Sequence, residues 1–162
     1  ALQNPEATVA CFTGDGSLLM NIQELATAAE YKTNVKIILC NNNGLGLVQQ
    51  QQELFFGGRL FASRYSGEVD FLRIAQGFGI PALCLNASPD PLADLRTAMG
   101  TREPSPVDDP ISAPDMVLPL VPPRPVNRAM IGRSSVPASH PVSPLLSFID
   151  FYTSTFCVAV PE

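Results

Sequence analysis

Apolar positions in the first hundred residues follow two alternating patterns. Thr8–Thr13 (TVACFT) and Val35–Cys40 (VKIILC) are short, almost unbroken apolar runs, which predict strands covered on both faces. Between them Leu18, Ile22, Leu25, Ala26 and Ala29 recur at helical spacing, predicting one helix over Leu18–Tyr31. Gly44–Gly46 is a turn and Val48–Phe56 a short helix. Asp70–Phe78 is a helix ended by Gly79, Pro81–Leu85 a third strand, and Asp90–Met99 a helix closed by Gly100. Strands alternating with helices predict an α/β fold, with an open, mostly parallel sheet and helices on both faces.

The pattern fades after residue 100. Twelve of the sixteen prolines lie in the last 62 residues, which excludes long helices and central strands there. Pro104–Ile111 (PSPVDDPI) reads as an edge strand at best, so the sheet is expected to be incomplete at its C-terminal end. Val117–Pro123 reads as extended. Residues 133–162 mix Ser, Pro and apolar residues without a period and are expected to be irregular, with Arg133–Pro144 disordered.

Composition narrows the function classes. With 46% hydrophobic and 15% charged residues in 162, the chain can bury a real core. Its formal net charge is −5 and its only lysines are Lys32 and Lys36, which argues against nucleic acid or an anionic membrane as partner. No apolar run reaches the ~20 residues that span a bilayer, and Asp150 interrupts the nearest candidate, Leu145–Val160. No signal peptide opens the chain, and its start without Met is expected of a piece of something longer. Cys11, Cys40 and Cys84 lie in apolar runs without CxxC spacing, as reduced core residues of a cytoplasmic protein do; Cys157 is the fourth cysteine.

The chemistry sits where the first two strands end. Open parallel sheets bind ligands at the carboxyl ends of their strands. The first strand runs into Gly14-Asp15-Gly16-Ser17, the second into Asn41-Asn42-Asn43-Gly44 and Leu45-Gly46. Asp15 offers a carboxylate oxygen, Asn42 an amide oxygen, and a backbone carbonyl near Gly44 a third ligand. Mg²⁺ takes such sparse oxygen ligation and completes it with water and phosphate oxygens. The glycines admit a phosphate close to the backbone, and Ser17 with its neighbouring N–H groups faces it from a helix start. A lone GDG is usually a turn and asparagine-rich loops are common. The two together, each after a buried strand and with 24 residues between them, are far more specific.

That pairing resembles the thiamine diphosphate signature. GDGSLLMNIQELATAAE, VKIILCNNNGLGLVQQQQELF and FLRIAQGFGIPA resemble the catalytic (large) subunit of bacterial acetolactate synthase, over about residues 1–132, its C-terminal cofactor-binding domain. The resemblance implies a transferase of a two-carbon aldehyde unit that condenses two pyruvates to 2-acetolactate with loss of carbon dioxide, in branched-chain amino-acid biosynthesis. It makes Asp15 and Asn42 side-chain ligands of Mg²⁺ and Gly44 a carbonyl ligand. Gly16, Ser17, Leu45, Gly46 and Leu47 would line thiamine diphosphate. Gln51 falls where many members carry a tryptophan that favours 2-ketobutyrate, so acetolactate from two pyruvates is the expected product.

The resemblance also implies what this chain does not contain. The family's catalytic glutamate lies on an N-terminal domain of a second catalytic subunit, and FAD on a middle domain. A regulatory small subunit is a further implied partner. No catalytic residue is therefore expected here: Glu24 and Glu30 read as helix surface, and His140 sits in the Pro/Ser tail. The chain alone is expected to be inactive. VLPLVPP with Asn127 and Met130-Ile131-Gly132 resembles the family's closing segment, but PSPVDDPI departs from its apolar last strand. Residues 133–162 match nothing in the family; an out-of-frame or fused segment is one hypothesis, which a closely related extension in sister genes would sink. The alternatives are a related thiamine diphosphate decarboxylase or carboligase, and a non-catalytic truncated remnant. A GxGxxG nucleotide binder lacks both its third glycine and its downstream acid. Leu54, Phe55, Phe56, Leu60 and Phe61 are candidates for a surface that other domains cover.

Overall fold

The structure is a computed structural model that describes residues 1–111, 116–121, 130–132 and 156–160. Strand β1 (Thr8–Gly14) leads into helices α1 (Asp15–Met20) and α2 (Glu24–Glu30), followed by β2 (Val35–Asn41) and α3 (Gly46–Phe55). Helix α4 (Phe71–Gly77), the two-residue strand β3 (Leu83–Cys84) and α5 (Pro91–Gly100) come next, then β4 (Ser105–Pro110) and β5 (Phe156–Val160). The strands form one sheet in the order β3-β4-β2-β1-β5, parallel except for β5, which runs antiparallel to β1.

Alternation along β2 shows why both faces are covered. Val35, Ile37 and Leu39 turn to one side, into a core with Leu18, Leu25, Ala28, Phe71, Ala75 and Ile80 from the α1–α2 and α4 regions. Lys36 belongs to the other parity and is fully buried. Its Nζ donates to the Thr101 carbonyl at 2.8 Å, Thr101 Oγ1 at 3.0 Å and the Glu103 carbonyl at 2.5 Å. A buried ammonium has three donors to satisfy, and here all three find oxygens at the end of α5. Burial pushes its pKa down and nearby Glu103 opposes that.

The single helix expected over Leu18–Tyr31 is two helices. Asn21 breaks it: its Nδ2 donates back to the Ser17 carbonyl at 3.2 Å and its backbone N–H to Leu18 at 3.0 Å, tightening the turn. Asparagine competes for backbone in this way and is a poor helix-interior residue. Helix α2 then ends in a left-handed residue, Lys32 at φ 46°, with Thr33 N–H bonding to the Ala28 carbonyl and Lys32 N–H to Ala29. Helix α4 ends identically, with Gly79 at φ 75° and Ile80 N–H on the Ala75 carbonyl. Asp70 and Asp90 cap α4 and α5, accepting from the N–H groups of Arg73 and Ala93.

Two expectations about the C-terminal part are corrected. Segment 104–111 is not a frayed edge: β4 lies between β2 and β3, with Ser105, Pro106, Val107 and Asp108 buried. Prolines are tolerated there because β3 pairs with β4 only at Val107 and Asp108, leaving Pro106 and Pro110 outside that ladder. Within residues 133–162, expected to be irregular, Phe156–Val160 forms β5 on the free edge of β1. The disorder expected of Arg133–Pro144, and His140, lie outside the described residues. Residues 116–121 include an isolated bridge from Leu120 to Ile131.

Candidate cofactor-anchoring site

Parallel pairing of β1 and β2 sets Gly14 opposite Cys40, so both strands deliver their following loops to the same place. Asp15 is the first residue of α1 and is 2% exposed. Gly16 N–H donates to its Oδ1 at 2.7 Å, and Gly44 N–H, from the other loop, donates to its Oδ2 at 2.8 Å. One carboxylate thus ties the two strand ends together. Burial pushes the Asp15 pKa up, and the N–H groups of Gly44, Gly16 and Asn43 pull it partly back. Nearby Tyr65 is pushed up by burial and by Asp15.

Asn42 follows β2, and its Oδ1 is buried without a hydrogen-bond partner. Buried amide oxygens are nearly always satisfied, and an orphan one on the loop whose Gly44 bonds Asp15 suits a cation ligand. Among the described residues no three His, Cys, Asp or Glu side chains gather as a metal cluster. A site of one carboxylate, one amide oxygen and one backbone carbonyl does not need such a cluster. The donor set is all oxygen, which suits Mg²⁺ and not a thiophilic metal.

Close approach explains both glycines. A Cβ on Gly16 would stand 2.5 Å from Leu45 Cδ2 and 3.2 Å from the Tyr65 hydroxyl oxygen; one on Gly44 would stand 2.6 Å from Gln49 Nε2 and 2.7 Å from the Ser63 carbonyl oxygen. Leu45 precedes α3, its N–H bonded to the Ser63 carbonyl at 2.8 Å, and Gly46 and Leu47 open that helix. Ser17 lies within α1. Because α1 is only six residues long, its dipole adds little to holding an anion. Gln51 lies exposed on α3 and takes no part in the Asp15–Gly44 link.

Three neighbours of Gln51 escaped sequence reasoning. Gln49 Nε2 donates to the Ser63 carbonyl at 2.8 Å, and Gln49 Oε1 accepts from Arg64 Nε at 3.3 Å. Gln50 Nε2 donates to the Val117 carbonyl at 2.9 Å and Gln50 Oε1 accepts from Val117 N–H at 2.8 Å. Gln52 does the same for the carbonyl and N–H of Phe61, and its Oε1 also accepts from Ser63 Oγ. A run of glutamines on a short helix was the available signal, since amides can pair with backbone on both sides. Asp108 was also missed: it is buried, its Oδ1 lacks a partner, and burial pushes its pKa up against a hydrogen bond from Asn41. Phe55, Phe56, Leu60 and Phe61 are exposed, Phe61 by 83%.

Residues 1–108 match the family model of the thiamine pyrophosphate enzyme C-terminal TPP-binding domain, thiamine pyrophosphate being the same compound as thiamine diphosphate. The chain belongs to that family. Among curated relatives it is 48% identical, over 132 residues, to the acetolactate synthase isozyme 1 large subunit of Escherichia coli K12, covering 82% of this chain and 24% of that protein. It is 37% identical over 131 residues to the isozyme 2 large subunit of the same organism, covering 81% and 24%. A probable acetolactate synthase large subunit from Methanococcus aeolicus is 40% identical over 118 residues, covering 71% and 20%. The chain therefore spans about a quarter of the length of these relatives and is similar to their C-terminal thiamine diphosphate-binding domain. A solved benzoylformate decarboxylase from Polynucleobacter necessarius shares the fold, at a TM-score of 0.58 and 21% identity, covering 64% of this chain and 19% of that one. The α/β sheet expected from the sequence is the sheet found. No helix among the described residues is long and apolar enough to cross a membrane.

Proposed function

We propose that this chain is the Mg²⁺–diphosphate-holding part of an acetolactate synthase large subunit. The observation that carries the proposal is the Asp15 carboxylate bonded to Gly44 N–H across the two strand ends, with the orphan Oδ1 of Asn42 on the same loop as Gly44. Asp15 and Asn42 would hold Mg²⁺ through side-chain oxygens and Gly44 through its carbonyl. Gly16, Ser17, Leu45, Gly46 and Leu47 would line the diphosphate end of thiamine diphosphate. When bound, that cofactor supplies a nucleophilic carbon that opens a 2-ketoacid to loss of carbon dioxide.

This chain's residues hold and orient; none of them moves the proton that starts the reaction. That role falls to a glutamate on another domain of a neighbouring subunit, and FAD and a regulatory small subunit belong to the assembly beyond this domain. The assembled enzyme would condense two pyruvates to 2-acetolactate in the cytoplasm, for branched-chain amino-acid biosynthesis. Gln51, exposed midway along α3, is consistent with weak preference for 2-ketobutyrate. The domain is residues 1–132, and residues 133–162 are an addition to it.

Product analysis tests the proposal. The full-length parent given pyruvate yields acetolactate, and the purified 162-residue chain yields none. Acetolactate from the isolated chain overturns the division of labour, and a product other than acetolactate from the parent overturns the assigned reaction.

A further inference from the structure

Cys11 in β1 and Cys157 in β5 lie directly opposite one another in the antiparallel register. Opposed residues carry their side chains on the same face, with Cα atoms about 4.5–5.5 Å apart, inside the roughly 4.4–6.8 Å that a disulfide bridges. The Cys157 thiol is close enough to raise the Cys11 pKa together with burial. Both are free thiols; Cys11 is buried and Cys157 is exposed. Cys40 and Cys84 are the contrasting pair. They sit on β2 and β3 with β4 between them, two strand spacings or about 9–10 Å apart, too far for a bond.

We propose that Cys11 and Cys157 form a modification site, a thiol pair that a low-molecular-weight disulfide oxidises to a cross-strand bond fastening β5 to the sheet. Exposure sets the order of steps. The Cys157 thiolate attacks one sulfur of the small disulfide, whose other half leaves as a thiol, and a mixed disulfide forms on Cys157. Cys11 then loses its proton to solvent, its thiolate attacks Cys157 Sγ, and the second small thiol leaves. Two protein thiols and one small disulfide become one protein disulfide and two small thiols, with no other oxidant. Burial, reinforced by Cys157, pushes the Cys11 thiol up to about 12, so the second step is the slow one.

Fastening matters because of where β5 lies. Among the described residues it is an edge strand held by one neighbour, β1, whose other end carries Asp15. An edge strand with a single ladder peels more readily than one inside the sheet. The bond removes β5's freedom to peel from the strand that presents the anchor.

Oxidised glutathione is the probe, on the full chain, with alkylation and peptide mapping. The expected product has lost two hydrogens, links the Cys11 peptide to the Cys157 peptide, and leaves Cys40 and Cys84 alkylated. Its C-terminal region is cut by carboxypeptidase at least tenfold more slowly than in the reduced chain. Cys11→Ser stops at a mixed disulfide on Cys157; Cys157→Ser, a change at an exposed position, takes up neither link. A wild-type chain that stops at the mixed disulfide, fails to react, or links Cys40 or Cys84 as readily overturns the proposal. So does a link that forms equally fast in urea, since chance encounter in the unfolded chain would then explain it.

Discussion

Strands β1 and β4 both flank β2, and they differ in how they treat polar groups. At the end of β1 the buried Asp15 accepts two backbone N–H groups, one from the loop that also carries an orphan amide oxygen, which a cation would satisfy. On β4 the buried Asp108 has an oxygen with no partner and lies among other acids, Asp109, Asp15 and Asp70, that push its pKa the same way as its burial. A buried carboxylate on its own is therefore ambiguous. What separates the candidate site from a costly position is the convergence of donors on Asp15 and their absence around Asp108 Oδ1.

The largest effect tests the link between β2 and the start of β4. Lys36→Met keeps the volume but leaves the Thr101 and Glu103 carbonyls without their donor, and we expect a loss of about 3 kcal/mol in urea unfolding. A loss under about 1 kcal/mol would mean that water replaces the ammonium there and that the buried Lys36 is not the clamp for β4.

Next comes the sign of Asp108 itself. Its folded pKa is raised, so the folded chain holds that proton more tightly than the unfolded chain. The stability this contributes is complete below the ordinary carboxylate value of 3.8 and is lost as pH rises through the raised value. At neutral pH Asp108 is then a cost, and Asp108→Asn is expected to stabilise by about 1 kcal/mol, or roughly 2–4 °C in Tm. The gain shrinks toward zero as pH falls below the ordinary carboxylate range. A destabilised variant at pH 7 would show instead that the charge of Asp108 is used.

Gln50→Ala removes both hydrogen bonds to Val117 and should cost about 1 kcal/mol, with faster amide exchange at Val117 than at Phe61, which Gln52 holds. Equal acceleration at both would mean that the glutamines act through α3 as a whole. The smallest effect is at Lys32, exposed and left-handed at φ 46°. Lys32→Gly is expected to stabilise by about 0.5–1 kcal/mol, because glycine adopts that conformation without strain.

That last position also shows where sequence stops being legible. Helices α2 and α4 share one C-terminal geometry, yet only α4 announces it, with Gly79; Lys32 gives no local sign. β1, β2 and the two decorated strand ends were readable because burial on both faces and the spacing of GDG from the asparagine pair leave a local imprint. β4 was not, since Pro106, Asp108 and Asp109 have edge composition and only the brevity of β3 lets them sit inside the sheet. β5 follows a stretch with no period, and its place depends on the free edge of β1, a fact of tertiary structure. In the candidate site, the meeting of the Asp15 and Gly44 loops was legible from the two motifs at the strand ends. The glutamines were not, because their backbone partners at Ser63, Phe61 and Val117 are distant in sequence.

Calorimetric titration of thiamine diphosphate into the 162-residue chain, with Mg²⁺ and with a chelator, tests the anchor most directly. Binding is expected only with Mg²⁺, and Asp15→Ala should weaken it by at least about 100-fold, beyond the 10–100-fold typical of groups that merely support a metal's ligands. Binding that survives the chelator, binding unchanged in Asp15→Ala, or no binding at millimolar cofactor would each contradict a metal–diphosphate anchor at Asp15 and Asn42.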